Sequence, residues 1–303
     1  MAVKQESLFI PDGEHQLHLR HIVSDSNAES DHKPVVFMVH GAIENGKIFY
    51  TEKGKGLACY LAEHGFDVYV MDLRGRGESI PRIRPFDDYG QTETILHDLP
   101  LLFNYIHARC EQPIHLIAHS WGGVLLTSML ARFPEMLPNV ASKTYFGTKR
   151  SISVFNTRKF FTVDMFWNRL ARLVAKKKGY LPAAKMNFGS DDETIKSLEQ
   201  SVAWVKRGDW VDTDDQFDYR HACEAINWPP TWHITAINDT VLGHPVDVKR
   251  FADEAGQSNA RMTLLSKENG NKHDYDHIDM LTHKLAVKDH FPDVVSWLKQ
   301  ASQ

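Results

Sequence analysis

The strongest chemical signal lies in the stretch Ile114-His115-Leu116-Ile117-Ala118-His119-Ser120-Trp121-Gly122-Gly123-Val124. An apolar run that fits a buried strand stops at a hydroxyl residue fenced by small ones. A helical apolar pattern begins directly after it, carried by Val124, Leu125, Ser128, Met129 and Arg132. A strand, a tight corner and a helix follow. At such a corner the middle residue adopts a strained backbone conformation and its side chain stands clear of the sheet, provided the residues two before and two after are small. Ala118 and Gly122 meet that condition. Ser120 is therefore a presented nucleophile, and the Trp121 amide, at the helix start, points where negative charge would develop on an attacked carbonyl. A small-x-Ser-x-Gly match alone recurs by chance in turns, so the elements around it must carry the reading.

Those elements alternate. Ser7 to Pro11 and Gln16 to Val23 flank the turn pair Asp12-Gly13, which predicts a leading antiparallel hairpin. Val35 to Val39 is an unbroken apolar run suited to a strand covered on both faces. A helix over Gly56 to Gly65 and a strand over Asp67 to Met71 come next, followed by the charged, Gly-rich loop Asp72-Leu73-Arg74-Gly75-Arg76-Gly77-Glu78-Ser79. Ile95, Leu99, Leu102, Phe103 and Ile106 mark one helix face, with Pro100 signalling a kink or a later start. The helix after Ser120 ends near Phe133-Pro134, and a strand is expected over Ser142 to Phe146.

The alternation stops between about residues 148 and 228. Phe155, Phe160, Phe161, Phe166, Trp167, Tyr180, Trp204 and Trp210 stand there among charges, basic ones early (Arg158 to Lys178) and acidic ones late (Asp191 to Asp218). This reads as a mainly helical cap whose oppositely charged ends pair. Alternation resumes with a strand over Trp232 to Ile237, then Asn238-Asp239, a helix over Val246 to Ala255, a strand over Met262 to Leu265 and a closing helix through Val294, Val295 and Leu298. The expected architecture is an α/β fold, a doubly wound and mostly parallel sheet formed by residues 1–147 and 229–303, with residues 148–228 as the cap.

Composition limits the function. The 303 residues suffice for one large domain with an insertion, and 42% hydrophobic with 24% charged residues is ordinary for a globular chain. A net charge of -4 gives no reason to expect nucleic acid or an anionic membrane as partner. Cys59, Cys110 and Cys223 are few, far apart and in helical segments, which suits reduced thiols in a reducing compartment. With no apolar run of membrane-spanning length and no secretory leader pattern at the start, a cytoplasmic location is expected.

Taken together, His40-Gly41-Ala42, the Asp72 to Ser79 loop, Ala118-His119-Ser120-Trp121-Gly122-Gly123, Asn238-Asp239 after a late strand and His277-Ile278-Asp279 before the last helix resemble the α/β-hydrolase superfamily, most closely its esterase and lipase branch. The resemblance covers nearly everything except the insertion, and departs from the usual pattern in having Ala118 for the first Gly. It implies that the chain carries a serine, an acid and a histidine in that order. A serine hydroxyl needs a base to take its proton, and a carboxylate on the far ring nitrogen fixes the imidazole's tautomer. Asp239 ends a predicted strand and is the acid candidate, with Asp247 as fallback. The family's other acid position, after the preceding strand, holds Gly147-Thr148-Lys149-Arg150 and has no carboxylate. His277 is the base candidate and His273 its rival. The loop at Gly41-Ala42 supplies a second oxyanion donor, the Ala42 N–H, or that of Ile43 if the loop is cut differently.

Metal and cofactor chemistry find no support in the motifs. On a strand His18 faces away from His15 and His21, the group from His273 to Asp279 lacks recognised zinc spacing, and no Gly-x-Gly-x-x-Gly follows the first strand. The expectation is a serine hydrolase cleaving carboxylic esters with an apolar acyl group, acting without cofactor or metal on a small-molecule substrate. Thioesters and amides would use the same machinery. The alternative from another class is a catalytically silent member that binds a ligand or partner, and oligomeric state is left open.

Overall fold

The computed structural model describes residues 3–24, 33–157, 160–206 and 208–302. In chain order its strands are β1 (Val3–Asp12), β2 (His15–Ser24), β3 (Val35–Val39), β4 (Asp67–Asp72), β5 (Ile114–His119), β6 (Val140–Phe146), β7 (Tyr180–Leu181), β8 (Glu193–Thr194), β9 (Thr231–Ala236) and β10 (Arg261–Leu265). The helices that frame them are α1 (Leu57–Glu63), α2 (Leu99–Cys110), α3 (Trp121–Arg132), α4 (Arg172–Lys178), α5 (Ile195–Val205), α6 (Tyr219–Glu224), α7 (Pro245–Glu254), α8 (Asp279–Thr282) and α9 (Phe291–Ala301).

Eight strands form one sheet in the order β1-β2-β4-β3-β5-β6-β9-β10. The β1–β2 and β2–β4 pairs are antiparallel, and every pair from β4 through β10 is parallel. The apolar runs explain this centre. Every residue of β3, β5 and β9 is buried, as parallel strands covered by helices on both faces must be. Alternation then divides each run between two cores. Val35, Phe37 and Val39 join Leu116 and Ala118 on the face covered by α2 and α3. Val36 and Met38 join Ile117 on the face covered by α1 and α9.

The topology fixes where a ligand can lie. From β3 the chain crosses to β4 on one side, and from β5 it crosses to β6 on the other, so the adjacent pair β3–β5 is the point where winding reverses. The crevice beyond the carboxyl ends of such a pair is open on top because the connections leave in opposite directions. Gly41 and Ala42 follow β3 there, and Ser120 follows β5.

Pro100 lies inside a continuous helical run: Gln91–Glu93, a π-helical turn over Thr94–Asp98 and α2 follow one another with helical backbone at each junction, and the π-helical turn stands beside the proline that interrupts the regular hydrogen-bond ladder. The segment between β6 and β9 carries α4, α5 and α6 with the small β7–β8 pair, and it is not uniform. Ala171, Ala175, Leu181, Ala183, Leu198 and Val202 form a cluster of their own. Trp204, Trp210, Tyr219 and Cys223 instead belong to the sheet core on the α2–α3 face. Arg172 and Glu199 join the basic and acidic parts of the insertion at 2.6 Å, while Arg158 lies outside the described residues. All three cysteines are free thiols on helices, as expected. No helix among the described residues is long and apolar enough to cross a membrane.

Candidate functional site

Ser120 sits at the corner between β5 and α3 with φ 50° and ψ -121°. A non-glycine residue held there stores about 1–3 kcal/mol of strain, and the structure offsets it locally. The Ser120 N–H donates to the Phe146 carbonyl at 2.7 Å, and the Ser120 carbonyl accepts from the Gly123 N–H at 3.3 Å. Gly122 lets the first turn of α3 press on the end of β3: a Cβ there would stand 2.5 Å from the carbonyl oxygens of both Val39 and His40. That contact draws the β3 loop against the nucleophile-bearing corner. His40 stiffens the loop further, its Nδ1 donating to the Gly41 carbonyl at 2.9 Å and its Nε2 accepting the Leu73 N–H at 3.0 Å.

Asp239 lies in the turn after β9, and His277 in the loop between β10 and α8. His277 Nδ1 donates to Asp239 Oδ2 at 2.5 Å, with both residues buried. Gly147, at φ 59°, makes room for the pair: a Cβ would stand 2.9 Å from His277 Nδ1. Burial alone would push the Asp239 carboxyl up, but His277, the Gly243 N–H and the charge of Lys149 outweigh it and hold the group below the usual aspartate range. With Nδ1–H directed to that acid, Nε2 is the ring nitrogen left to face a reacting group. Among the described residues neither His277 Nε2 nor Ser120 Oγ makes a hydrogen bond, and both residues line one cavity of about 790 Å³.

A second histidine–carboxylate pair stands behind this one. His119 Nδ1 donates to Glu44 Oε2 at 2.8 Å, and its Nε2 donates to the His277 carbonyl at 2.8 Å. Glu44 also accepts the Gly41 N–H at 2.9 Å. Burial opposes both charges, yet their mutual attraction lowers Glu44 to about 2 and raises His119. The charged pair thus ties the β3 loop to the loop carrying His277. It also uses up the Gly41 N–H. The Ala42 and Trp121 amides have no acceptor among the described residues, and both residues line the cavity beside Ser120.

The cavity wall is mostly apolar, with Ile43, Trp121, Ile152, Val163, Trp167, Phe188, Val205 and Leu242 contributing. The cap is clasped over it. Ile43 adopts φ 50°, an outlying conformation for a β-branched residue, and its carbonyl accepts from the Ser190 and Asp191 N–H groups at 2.9 and 3.0 Å. Asp191 accepts the Gly77 N–H at 2.6 Å and pairs with Arg82, while Glu193 pairs with Arg76. Asp191 and Glu193 of the cap therefore bind the segment after β4, while Glu199 pairs with Arg172 in the cap's own basic part. Sequence reading missed this clasp. Its one visible signal is the surplus of arginines in the 74–84 segment.

The rival assignments find other roles. His273 stacks on His283 and hydrogen-bonds Asp279 at 3.2 Å. Asp247 accepts the Ser153 N–H at 2.9 Å and contacts Arg250 at 3.2 Å. Of the cap aromatics, Trp167 lines the cavity, Trp204 and Trp210 are core residues, and Phe155 is exposed. The side chains of Phe160, Phe161 and Phe166 lie outside the described residues.

The family profile described as alpha/beta hydrolase fold matches residues 34–182. Triacylglycerol lipase 1 of Arabidopsis thaliana is 27% identical over 106 residues, 33% of this chain and 27% of the lipase. Triacylglycerol lipase 2 of the same plant is 31% identical over 97 residues, 30% of this chain and 23% of the lipase. The match thus spans only about a quarter of the length of either relative. A solved structure of a soluble variant of monoglyceride lipase from Saccharomyces cerevisiae superposes with TM-score 0.69 at 14% identity, over 99% of this chain and 96% of that one, and shares its fold. With the reversal of winding at β3–β5, the strained serine corner and these likenesses combined, the chain has the α/β-hydrolase fold, and residues 34–182 carry that family's sequence pattern.

Proposed function

We propose that the protein is a serine hydrolase that cleaves carboxylic esters through an acyl-enzyme, with Ser120, His277 and Asp239 as its catalytic residues. The observation that carries the reading is a histidine with one ring nitrogen committed to a buried carboxylate and the other unspent, in the same cavity as a strained, unbonded serine.

In this reading Ser120 Oγ attacks the ester carbonyl as His277 Nε2 takes its proton. Asp239 keeps Nδ1–H in place and stabilises the imidazolium. The oxyanion forms against the Ala42 and Trp121 N–H groups, each worth on the order of 3 kcal/mol to the transition state. Collapse expels the alcohol, which receives the proton from His277. Water then adds to the acyl group with His277 again as base, and the acid leaves while Ser120 regains its proton. The apolar wall suits an apolar acyl chain. The three free thiols favour a reducing compartment and hence the cytoplasm.

A panel of 4-nitrophenyl esters of rising chain length tests the reading. Wild type should hydrolyse at least one length with saturable kinetics, and Ser120→Ala should not. A folded wild type inactive on all lengths would favour a silent, ligand-binding member instead.

A further inference from the structure

Lys149 follows β6 by three residues, at the position where the family's alternative acid would stand. It is 5% exposed and lines the same cavity as Ser120 and His277. Its ammonium stands 5.7 Å from the centre of the Trp121 ring, and among the described residues it has neither a hydrogen bond nor an ion pair. The next residue shows the contrast. Arg150 is equally buried, but it pairs with Glu254 and donates to the carbonyls of Trp204 and Gly208 at 2.8 and 3.0 Å. The acids whose fields reach Lys149 are Asp239 and Asp247. Both are engaged elsewhere, the first by His277 and the second by Ser153 and Arg250. Lys143, the other buried lysine among the described residues, lies with its ammonium 3.6 Å from the Trp228 ring centre and does not line the cavity.

A buried cation whose contact is an aromatic ring, with no hydrogen bond or ion pair, is costly, and one that faces a ligand cavity gains an ionic partner when an anionic ligand binds. We infer that Lys149 is a specificity-determining residue that pairs with a carboxylate on the acyl part of the substrate, so that the preferred esters are half-esters of dicarboxylic acids. The inference rests on the ester-hydrolase reading. Trp121, Ile152 and Val205 line the same cavity and supply apolar wall for an alkyl chain. A single cation suits a singly charged group. Lys47, the other lysine lining the cavity, faces Glu52 at 3.5 Å, so no second cation stands free there for a dianion.

The test compares 4-nitrophenyl esters matched in chain length: hydrogen glutarate against valerate, and hydrogen suberate against octanoate. For at least one pair, wild-type kcat/KM should favour the charged ester tenfold or more. Lys149→Met should abolish that ratio and Lys149→Arg should restore part of it, with thermal unfolding confirming that each variant is folded and Lys149→Gln replacing Met if it is not. A preference for the neutral ester at both lengths, or an equal loss on both members in Lys149→Met, overturns the inference. Titration calorimetry of the same pairs on Ser120→Ala reads the preference without turnover. Equal affinities there overturn the carboxylate pairing even if wild type is an active esterase, whereas tighter binding of the charged member with no turnover by wild type overturns only the hydrolase reading.

Discussion

Among the described residues two Ser-His-Asp groups occur, and the one with the more complete hydrogen bonding is the one without a cavity. In the first, Ser7 Oγ lies 2.9 Å from His18 Nε2, and His18 Nδ1 donates to Asp72 Oδ2 at 2.7 Å. In the second, His277 donates to Asp239 while Ser120 and His277 Nε2 stand unbonded at a cavity. The surroundings separate them. Ser7 is an ordinary residue within extended β1, His18 is fully buried, and neither lines the cavity. Asp72 also accepts the Gly46 and Glu78 N–H groups at 2.7 and 2.9 Å, so its group fastens β2, β4 and two loops. Ser120 has a strained corner, two unspent amides and open volume instead. A satisfied hydrogen-bond chain is what a structural node looks like. A site built for reaction leaves capacity unspent, and its hydrogen bonds tighten when substrate arrives.

The comparison breaks most sharply at the hydroxyls. Ser120→Ala should lower kcat/KM for a 4-nitrophenyl ester by roughly 10⁴-fold, whereas Ser7→Ala should leave it within about twofold. The carboxylates come next. Asp239→Asn presents the wrong tautomer and should cost about 10⁴-fold in kcat. Asp72→Asn should cost about 2 kcal/mol in urea-induced unfolding, because it loosens a buried node. A smaller effect tests the packing around the second group. Gly147→Ala forces a Cβ to within 2.9 Å of the His277 ring from a left-handed backbone, and kcat should fall about tenfold through displacement of the imidazole.

Titration adds a further pair of expectations. Burial pulls Lys149 to about 8 against the fields of Asp239 and Asp247. Its charge is present below that pH, so any preference for carboxylate-bearing esters should fade as pH rises through 8, read as the ratio of kcat/KM for a matched pair. Burial likewise pulls His115 to about 4, and His233 to about 4 despite its Gln257 hydrogen bond. The unfolded chain takes up these protons near pH 6.5 and the folded one only near pH 4, so stability is full above 6.5 and lost as pH falls through that window. The melting temperature should drop between pH 6.5 and 4, and His233→Phe should make the drop shallower.

The sheet was legible because its signals are periodic and local. Val35 to Val39 was read with its observed limits, and the Asp12-Gly13 pair marked the hairpin. The places of Ser120 and Asp239, just beyond β5 and β9, and of His277, in the loop between β10 and α8, are those the sequence pattern predicts. The rest depends on contacts between distant segments. Nothing in the residue types tells which of the cap's aromatics face the cavity and which, like Trp204 and Trp210, enter the sheet core. Ile43 in a left-handed conformation contradicts its own propensity, so the clasp it makes with Ser190 and Asp191 leaves no local trace. His18 was rightly turned away from His15 and His21, but its partner lies 54 residues along the chain.

In the proposed function the reactive hydroxyl is the one with unspent surroundings, not the fully bonded one. Labelling the folded protein with a fluorophosphonate and mapping the modified peptide distinguishes them. A single adduct on Ser120 is expected, lost in Ser120→Ala and strongly reduced in His277→Gln. An adduct on Ser7, or none at all on native protein, would contradict that reading.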